Sequence, residues 1–136
     1  MIFEAVPGER INSVWLQVLP LVKRLVAEIP DRATELSIYE TLMRGEAMLW
    51  LAVEDGVVLA FITTKTVMYP KLKMLSFEMC SGDGAEVWFP EFEKHLETYA
   101  RDTGHDGLEM VGRKGWVRKF GLGWNDKYSF AEKRFR

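Results

Sequence analysis

The stretch Leu75-Ser76-Phe77-Glu78-Met79-Cys80-Ser81-Gly82-Asp83-Gly84-Ala85 decides how this chain is read. Lys73 to Cys80 has the composition of a strand, Ser81 to Ala85 is a loop carrying two glycines, and a helix follows from about Glu86 to Asp102. In that helix Trp88, Phe92, Leu96 and Tyr99 recur at steps of four, four and three, the signature of one face packed on a sheet. A strand, a glycine-bearing loop and a helix N-terminus aim unpaired backbone N–H groups and the positive end of a helix dipole at one point. An anion can bind there without a cationic side chain. The same junction also serves as a purely structural turn, so the rest of the chain has to choose between the two.

Working outward, Ile2 to Val6 reads as a short strand ended by Pro7-Gly8. Asn12 is placed to cap a helix whose Val14, Trp15, Val18, Val22, Leu25, Val26 and Ile29 fall on one face, with Pro20 expected to kink or split it. A second helix is expected from about Arg32 to Arg44, with Leu36, Tyr39, Leu42 and Met43 inward and Gly45 as its stop. The pattern then turns to strands. Met48 to Val53 and Val57 to about Met68 flank Glu54-Asp55-Gly56, a hairpin turn with glycine where positive φ is needed. Tyr69-Pro70-Lys71 separates this hairpin from the strand at Lys73. Beyond Gly104 come a strand from Gly107 to Val111, a short helix from Lys114 to Phe120 and a final strand from Tyr128 to Phe135. The order β-α-α-β-β-β-α-β-α-β describes a mixed α/β sheet, with residues 1–136 folding as a single domain.

Composition narrows the function classes. The 136 residues are 48% hydrophobic and 28% charged, enough for one core. The longest apolar run, Ala47 to Val53, is far too short to span a bilayer, and the start at Met1-Ile2-Phe3-Glu4 is unlike a signal peptide, so the expectation is a non-exported protein with no membrane partner. A single cysteine, Cys80, and two histidines, His95 and His105, fit a reducing cytoplasm and argue against a metal site. The net charge of -2 conceals an asymmetry. Val111 to Arg136 carries eight basic residues against Asp126 and Glu132, a charge of +6, which leaves -8 on residues 1–110. Such a basic end either attracts a phosphate-bearing ligand or nucleic acid, or is an ordinary solvated face.

The element order and the loop together resemble the GNAT superfamily of acyl-CoA N-acyltransferases. In that family the loop after the fourth strand holds the pyrophosphate of acyl-coenzyme A through Gln/Arg-x-x-Gly-x-Gly/Ala. Met79-Cys80-Ser81-Gly82-Asp83-Gly84 matches both glycines and carries Met79 where Gln or Arg is usual. Asp83 is a second departure, since a carboxylate about 5 Å from a phosphate costs roughly 1 to 3 kcal/mol across the dielectric range of a protein surface. A narrower resemblance runs from Leu49 onward. Gly112-Arg113-Lys114-Gly115-Trp116, the strand Leu49-Trp50-Leu51-Ala52-Val53 and the helix Trp88 to Arg101 look like GNAT-related proteins of tailed bacteriophages.

The resemblance implies acetyl-CoA or another acyl-CoA as cofactor, an amine of unknown identity as acceptor, and a cleft where the strands on either side of the loop part. It implies a cofactor site at Met79, Cys80, Ser81, Gly82, Asp83, Gly84 and Ala85, with Arg113, Lys114, Arg118 and Lys119 available to the nucleotide phosphates or to nucleic acid. Acyl transfer to an amine needs a base and an acid for the leaving thiolate. Glu78 is the candidate base, against the alternative of a solvent-facing strand carboxylate. The family's tyrosine position falls on Lys119, so Tyr128 is the substitute acid, against the alternative of a core or edge-strand tyrosine. Cys80 is read as a small buried thiol, His95 as a surface residue beside the seam, and Trp116 and Trp124 as core plugs. Three readings follow: an N-acyltransferase; a phage protein that keeps the fold without catalysis as a virion or host-interaction component; and, least supported, nucleic-acid binding through the basic tail. A C-terminal edge strand would offer a surface for a homodimer.

Overall fold

The computed structural model describes residues 1–111, 123–128 and 130–135. The elements are β1 (Ile2–Val6), a 3-10 turn at Gly8–Arg10, α1 (Ile11–Glu28), α2 (Glu35–Met43), β2 (Met48–Glu54), β3 (Val57–Met68), β4 (Lys73–Gly82), α3 (Ala85–Asp102) and β5 (Gly107–Met110). The five strands form one mixed sheet in the order β1-β2-β3-β4-β5. The first four are antiparallel neighbours, and β5 runs parallel to β4. The mixed α/β class and the strand sequence expected up to β5 are therefore observed.

Strand alternation sends apolar side chains to both faces, and each face has its own core. Leu49, Leu51 and Phe61 meet α1 and α2 through Val14, Val18, Val22, Ile38 and Leu42. Trp50, Ala52, Ile62 and Phe77 meet α3 through Trp88, Phe89, Phe92 and Leu96. Both helical prolines, Pro20 and Pro90, lie on exposed faces, and Ile11–Glu28 is one helix that is not split at Pro20. On an outer face the carbonyl left unpaired by proline is on the water side, where helices already lengthen their bonds.

Three local expectations are corrected. Asn12 does not cap α1: the helix enters from the 3-10 turn, and Asn12 Oδ1 accepts a hydrogen bond from the Tyr39 hydroxyl. The second helix starts later than Arg32, because Thr34 and Ser37 form a reciprocal capping box, Ser37 N–H to Thr34 Oγ1 at 3.0 Å and Thr34 N–H to Ser37 Oγ at 2.8 Å. Its buried residues are Ile38 and Leu42, while Leu36 and Met43 are exposed. Both stripes are apolar at helical spacing, so periodicity alone did not separate them.

The third correction concerns the C-terminus. The described residues of the expected final strand, Tyr128 and 130–135, form no strand, and Tyr128, Phe130 and Phe135 are exposed. Its aromatic side chains left exposed, this segment is tied by charge to the turn between α1 and α2. Arg32 pairs with Glu132 and lies over the Phe130 ring at 5.2 Å, and Arg134 pairs with Asp31 and with Glu132. The Arg134 guanidinium, as hydrogen-bond donor, holds the Asp31 carboxyl below the ordinary range. The short helix expected at Lys114 to Phe120 lies outside the described residues.

Gly82 is the tightest point of the sheet. With φ at +147°, a Cβ there would sit 2.5 Å from Ala60 Cβ and 2.6 Å from the Leu59 carbonyl oxygen. Gly82→Ala is therefore expected to destabilise the protein by about 3 kcal/mol through forced separation of β3 and β4. A urea-denaturation midpoint unchanged from wild type would contradict that packing.

Candidate active site

The register of β4 makes the site. Thr63 and Thr64 of β3 are consecutive, yet they pair with Met79 and Phe77, so Glu78 is an extra residue bulged out of the antiparallel ladder. On its other side β4 pairs with β5 only from Met74 to Phe77, opposite Gly107 to Met110. Both departures fall at the same place: Glu78 is unmatched on the β3 side and is the first residue that β5 does not accompany. From Glu78 to Gly82 the strand keeps its β3 neighbour, and among the described residues no strand pairs with its other edge.

Each end of this arrangement is pinned. At the lower end Asp106 N–H donates to the Lys73 carbonyl at 2.7 Å and Lys73 N–H donates to Asp106 Oδ2 at 2.8 Å, which sets β5 beside β4. His105 is held by Thr66 Oγ1 and Thr103 Oγ1, each at 2.8 Å. At the upper end β4 runs to Gly82, two residues beyond the expected end at Cys80, and Gly84 takes φ +72° to start α3. Val87 and Trp88 N–H groups already bond the Gly84 carbonyl, so the N–H groups of Ala85 and Glu86 precede the first bond within the helix. A Cβ on Gly84 would meet nothing within 4 Å, so the space in front of the helix start is open.

The side chains of the loop are distributed differently from expectation. Met79 packs into the core beneath α1 and Cys80 into the core beneath α3, while Ser81 and Ala85 are half-buried. Burial pushes the Cys80 thiol up to about 12, which excludes a nucleophilic thiolate at neutral pH. Asp83 is turned outward into a two-point contact with Arg24 of α1, at 2.7 Å and 3.3 Å. The hydrogen bond from Arg24, and then its charge, lower the Asp83 carboxyl. The Asp83 carbonyl accepts from Trp88 Nε1 at 2.7 Å, which locks the loop onto α3. Arg24, 59 residues before Asp83 in the chain, carried no local signal as a member of this loop.

On the α1 side of the sheet, past the region that α1 covers, lies a polar floor. Phe61 belongs to the α1 core and Ile62 to the α3 core, so alternation puts Lys65 on the α1 side. Its ammonium lies 3.6 Å from Glu78 Oε1 and brings Glu78 to the same side. Leu108 and Met110 pack towards α3, so Glu109 between them faces the floor, where the Tyr69 hydroxyl donates to its carboxylate at 2.9 Å and 3.0 Å. This contact raises the Tyr69 hydroxyl above its ordinary value, with smaller contributions from its partial burial and from the charges of Glu109, Glu78 and Tyr128. Tyr128 is 88% exposed and lies neither in a core nor in an edge strand. Tyr69 and Glu109 were missed in the sequence, since nothing local joins residues 40 apart. Arg113, Lys114, Trp116, Arg118 and Lys119 lie outside the described residues. Trp124 packs against the α3 core and donates to Glu93 at 2.6 Å, and His95 is exposed beside Trp50 and Phe3.

No protein-family profile and no curated protein matches this chain. Solved structures do. A probable acetyltransferase superposes with a TM-score of 0.74 at 14% identity, over 100% of this chain and 98% of that one. A ribosomal-protein-alanine N-acetyltransferase from Brucella melitensis biovar Abortus 2308 gives 0.71 at 12%, over 98% and 100%. A predicted acetyltransferase with acetyl-CoA from Clostridium acetobutylicum gives 0.63 at 15%, over 96% and 95%. The chain has the GNAT-like acetyltransferase fold; at these identities the likeness establishes the fold. No helix among the described residues is long and apolar enough to cross a membrane.

The burial of Cys80 is directly checkable. The folded protein at pH 8 is expected to react with iodoacetamide at least tenfold more slowly than the same protein in urea, because the neutral thiol is a poor nucleophile. Equal rates would show an accessible thiolate.

Proposed function

We propose that the protein is an acetyl-CoA-dependent N-acetyltransferase acting on an amine. The observation that carries this reading is the coincidence at Glu78 of the β4 bulge with the end of β5 pairing, directly before a glycine loop that opens a helix. The residues present fit the cofactor. Gly84 leaves open the space that any side chain would occupy, and the Ala85 and Glu86 N–H groups suit a pyrophosphate. The freed edge of β4 from Glu78 to Ser81 supplies N–H and C=O groups for the amide-bearing arm, and Arg24 stands beside the loop as a cation that offsets Asp83. Arg113 and Lys119 remain part of the proposal as partners of the nucleotide phosphates.

When bound, acetyl-CoA supplies an activated acyl group as a thioester. Glu78 accepts the proton that the amine must lose, directly or through water, with Lys65 fixing its carboxylate. Tyr128 is the proposed acid that returns a proton to the leaving thiolate. The core-packed Met79, in place of the usual polar residue, favours a second reading in which the fold binds the cofactor, or a partner, without transfer.

The test is the rate of free thiol release from acetyl-CoA in the presence of a panel of primary amines. Glu78→Gln is expected to lower kcat about 100-fold or more while acetyl-CoA affinity stays within twofold, because removal of a general base acts on the chemical step. Turnover equal to wild type in the variant would remove Glu78 from the mechanism. Tight acetyl-CoA binding with no turnover on any amine would favour the second reading.

A further inference from the structure

Within the proposed transfer reaction, on which this inference rests, we infer that the acceptor is a dication, with Glu109 holding the ammonium group that does not react and Tyr69 positioning Glu109. The two carboxylates of the floor differ in what surrounds them. The charge of Glu78 is offset by Lys65 at 3.6 Å, whereas Glu109 is bonded at both oxygens by a neutral hydroxyl. A hydroxyl fixes a carboxylate without cancelling its charge, so among the described residues no ion pair offsets the charge of Glu109.

The spacing between the two positions sets the size of that ligand. Glu109 is the register partner of Ser76, and Glu78 is two residues further along β4 on the same side of the sheet. Sheet geometry puts their Cα atoms about 8 Å apart. That distance suits an amine reacting at Glu78 while a second ammonium group, one short alkyl chain away, pairs with Glu109. Tyr69 follows Met68, the last residue of β3, at the start of the turn that leads into β4, and its hydroxyl fixes the Glu109 carboxylate. A monoamine of equal length could reach Glu78 and would leave Glu109 without a cation.

Binding of cadaverine and of pentylamine to the whole protein in the presence of CoA tests this without requiring turnover. Isothermal titration is expected to show cadaverine at least about tenfold tighter, a preference that Glu109→Gln removes and Tyr69→Phe reduces several-fold. Glu9→Gln, on the 3-10 turn before α1, should leave it unchanged. Equal affinity of wild type for the two amines would overturn the inference, with no variant needed. A preference that survives in a folded Glu109→Gln would overturn it as well. Acetyl-CoA titrated into the same samples separates the two claims: a cadaverine preference without cofactor binding would contradict the transferase reading alone, and cofactor binding without preference would contradict this one alone.

Discussion

Everything the site can do depends on β4 being held on one side and released on the other. A strand inside a sheet ordinarily satisfies its backbone groups on both edges, and an open edge invites pairing with another chain. Among the described residues, two local departures from the ladder meet at one residue of β4. The bulge at Glu78 adds a residue against β3 and turns the strand, while β5 stops at Met110. The opening stays one-sided because the upper end of β4 cannot leave β3: Gly82 lies so close to Leu59 and Ala60 that no other residue fits. At the lower end, the reciprocal bonds between Asp106 and Lys73 keep β5 in place just before it departs.

Charge then divides the candidate site into two regions. Around the glycine loop the negative Asp83 is matched by Arg24, and the open space at Gly84 meets backbone N–H groups, with Glu86 the acidic residue of the first turn of α3. This answers the electrostatic objection that Asp83 raised in the sequence: the residue faces α1 and does not cap α3. On the floor beyond Glu78 the balance is reversed, with Glu78 and Glu109 against Lys65. An anion at the loop and a cation at the floor are the two partners that acyl transfer from a nucleotide thioester to an amine brings together. The C-terminal segment, through Arg134 and Glu132, ties down the turn after α1 by exposed ion pairs of the kind that salt weakens.

The sheet was largely legible in the sequence because strand alternation and turn chemistry are local. The hairpin at Asp55-Gly56 shows this, with two consecutive positive φ values where the turn residues stand. The glycine loop was legible for the same reason. Other features depend on register or on distant contacts and left no local trace. The bulge at Glu78 is visible only once β3 is laid beside β4, and the Tyr69–Glu109 and Arg24–Asp83 contacts join separate elements. The face of α2 was read only in part: Leu42 and Tyr39 turn to the core as expected, whereas Leu36 and Met43 are exposed and Ile38, equally periodic, is buried. The final strand was misread because Tyr128 and Phe130 alternate without any surface to cover them.

The central claim is that the glycine loop and the freed edge of β4 form a cofactor site, and calorimetric titration with acetyl-CoA tests it most directly. The account expects wild-type binding in the micromolar range and loss of at least tenfold in Gly84→Glu, whose carboxylate would enter the open space before α3 at a backbone strain of about 1 to 2 kcal/mol. No heat up to millimolar acetyl-CoA from protein shown to be folded, or equal affinity in a folded Gly84→Glu, would contradict it.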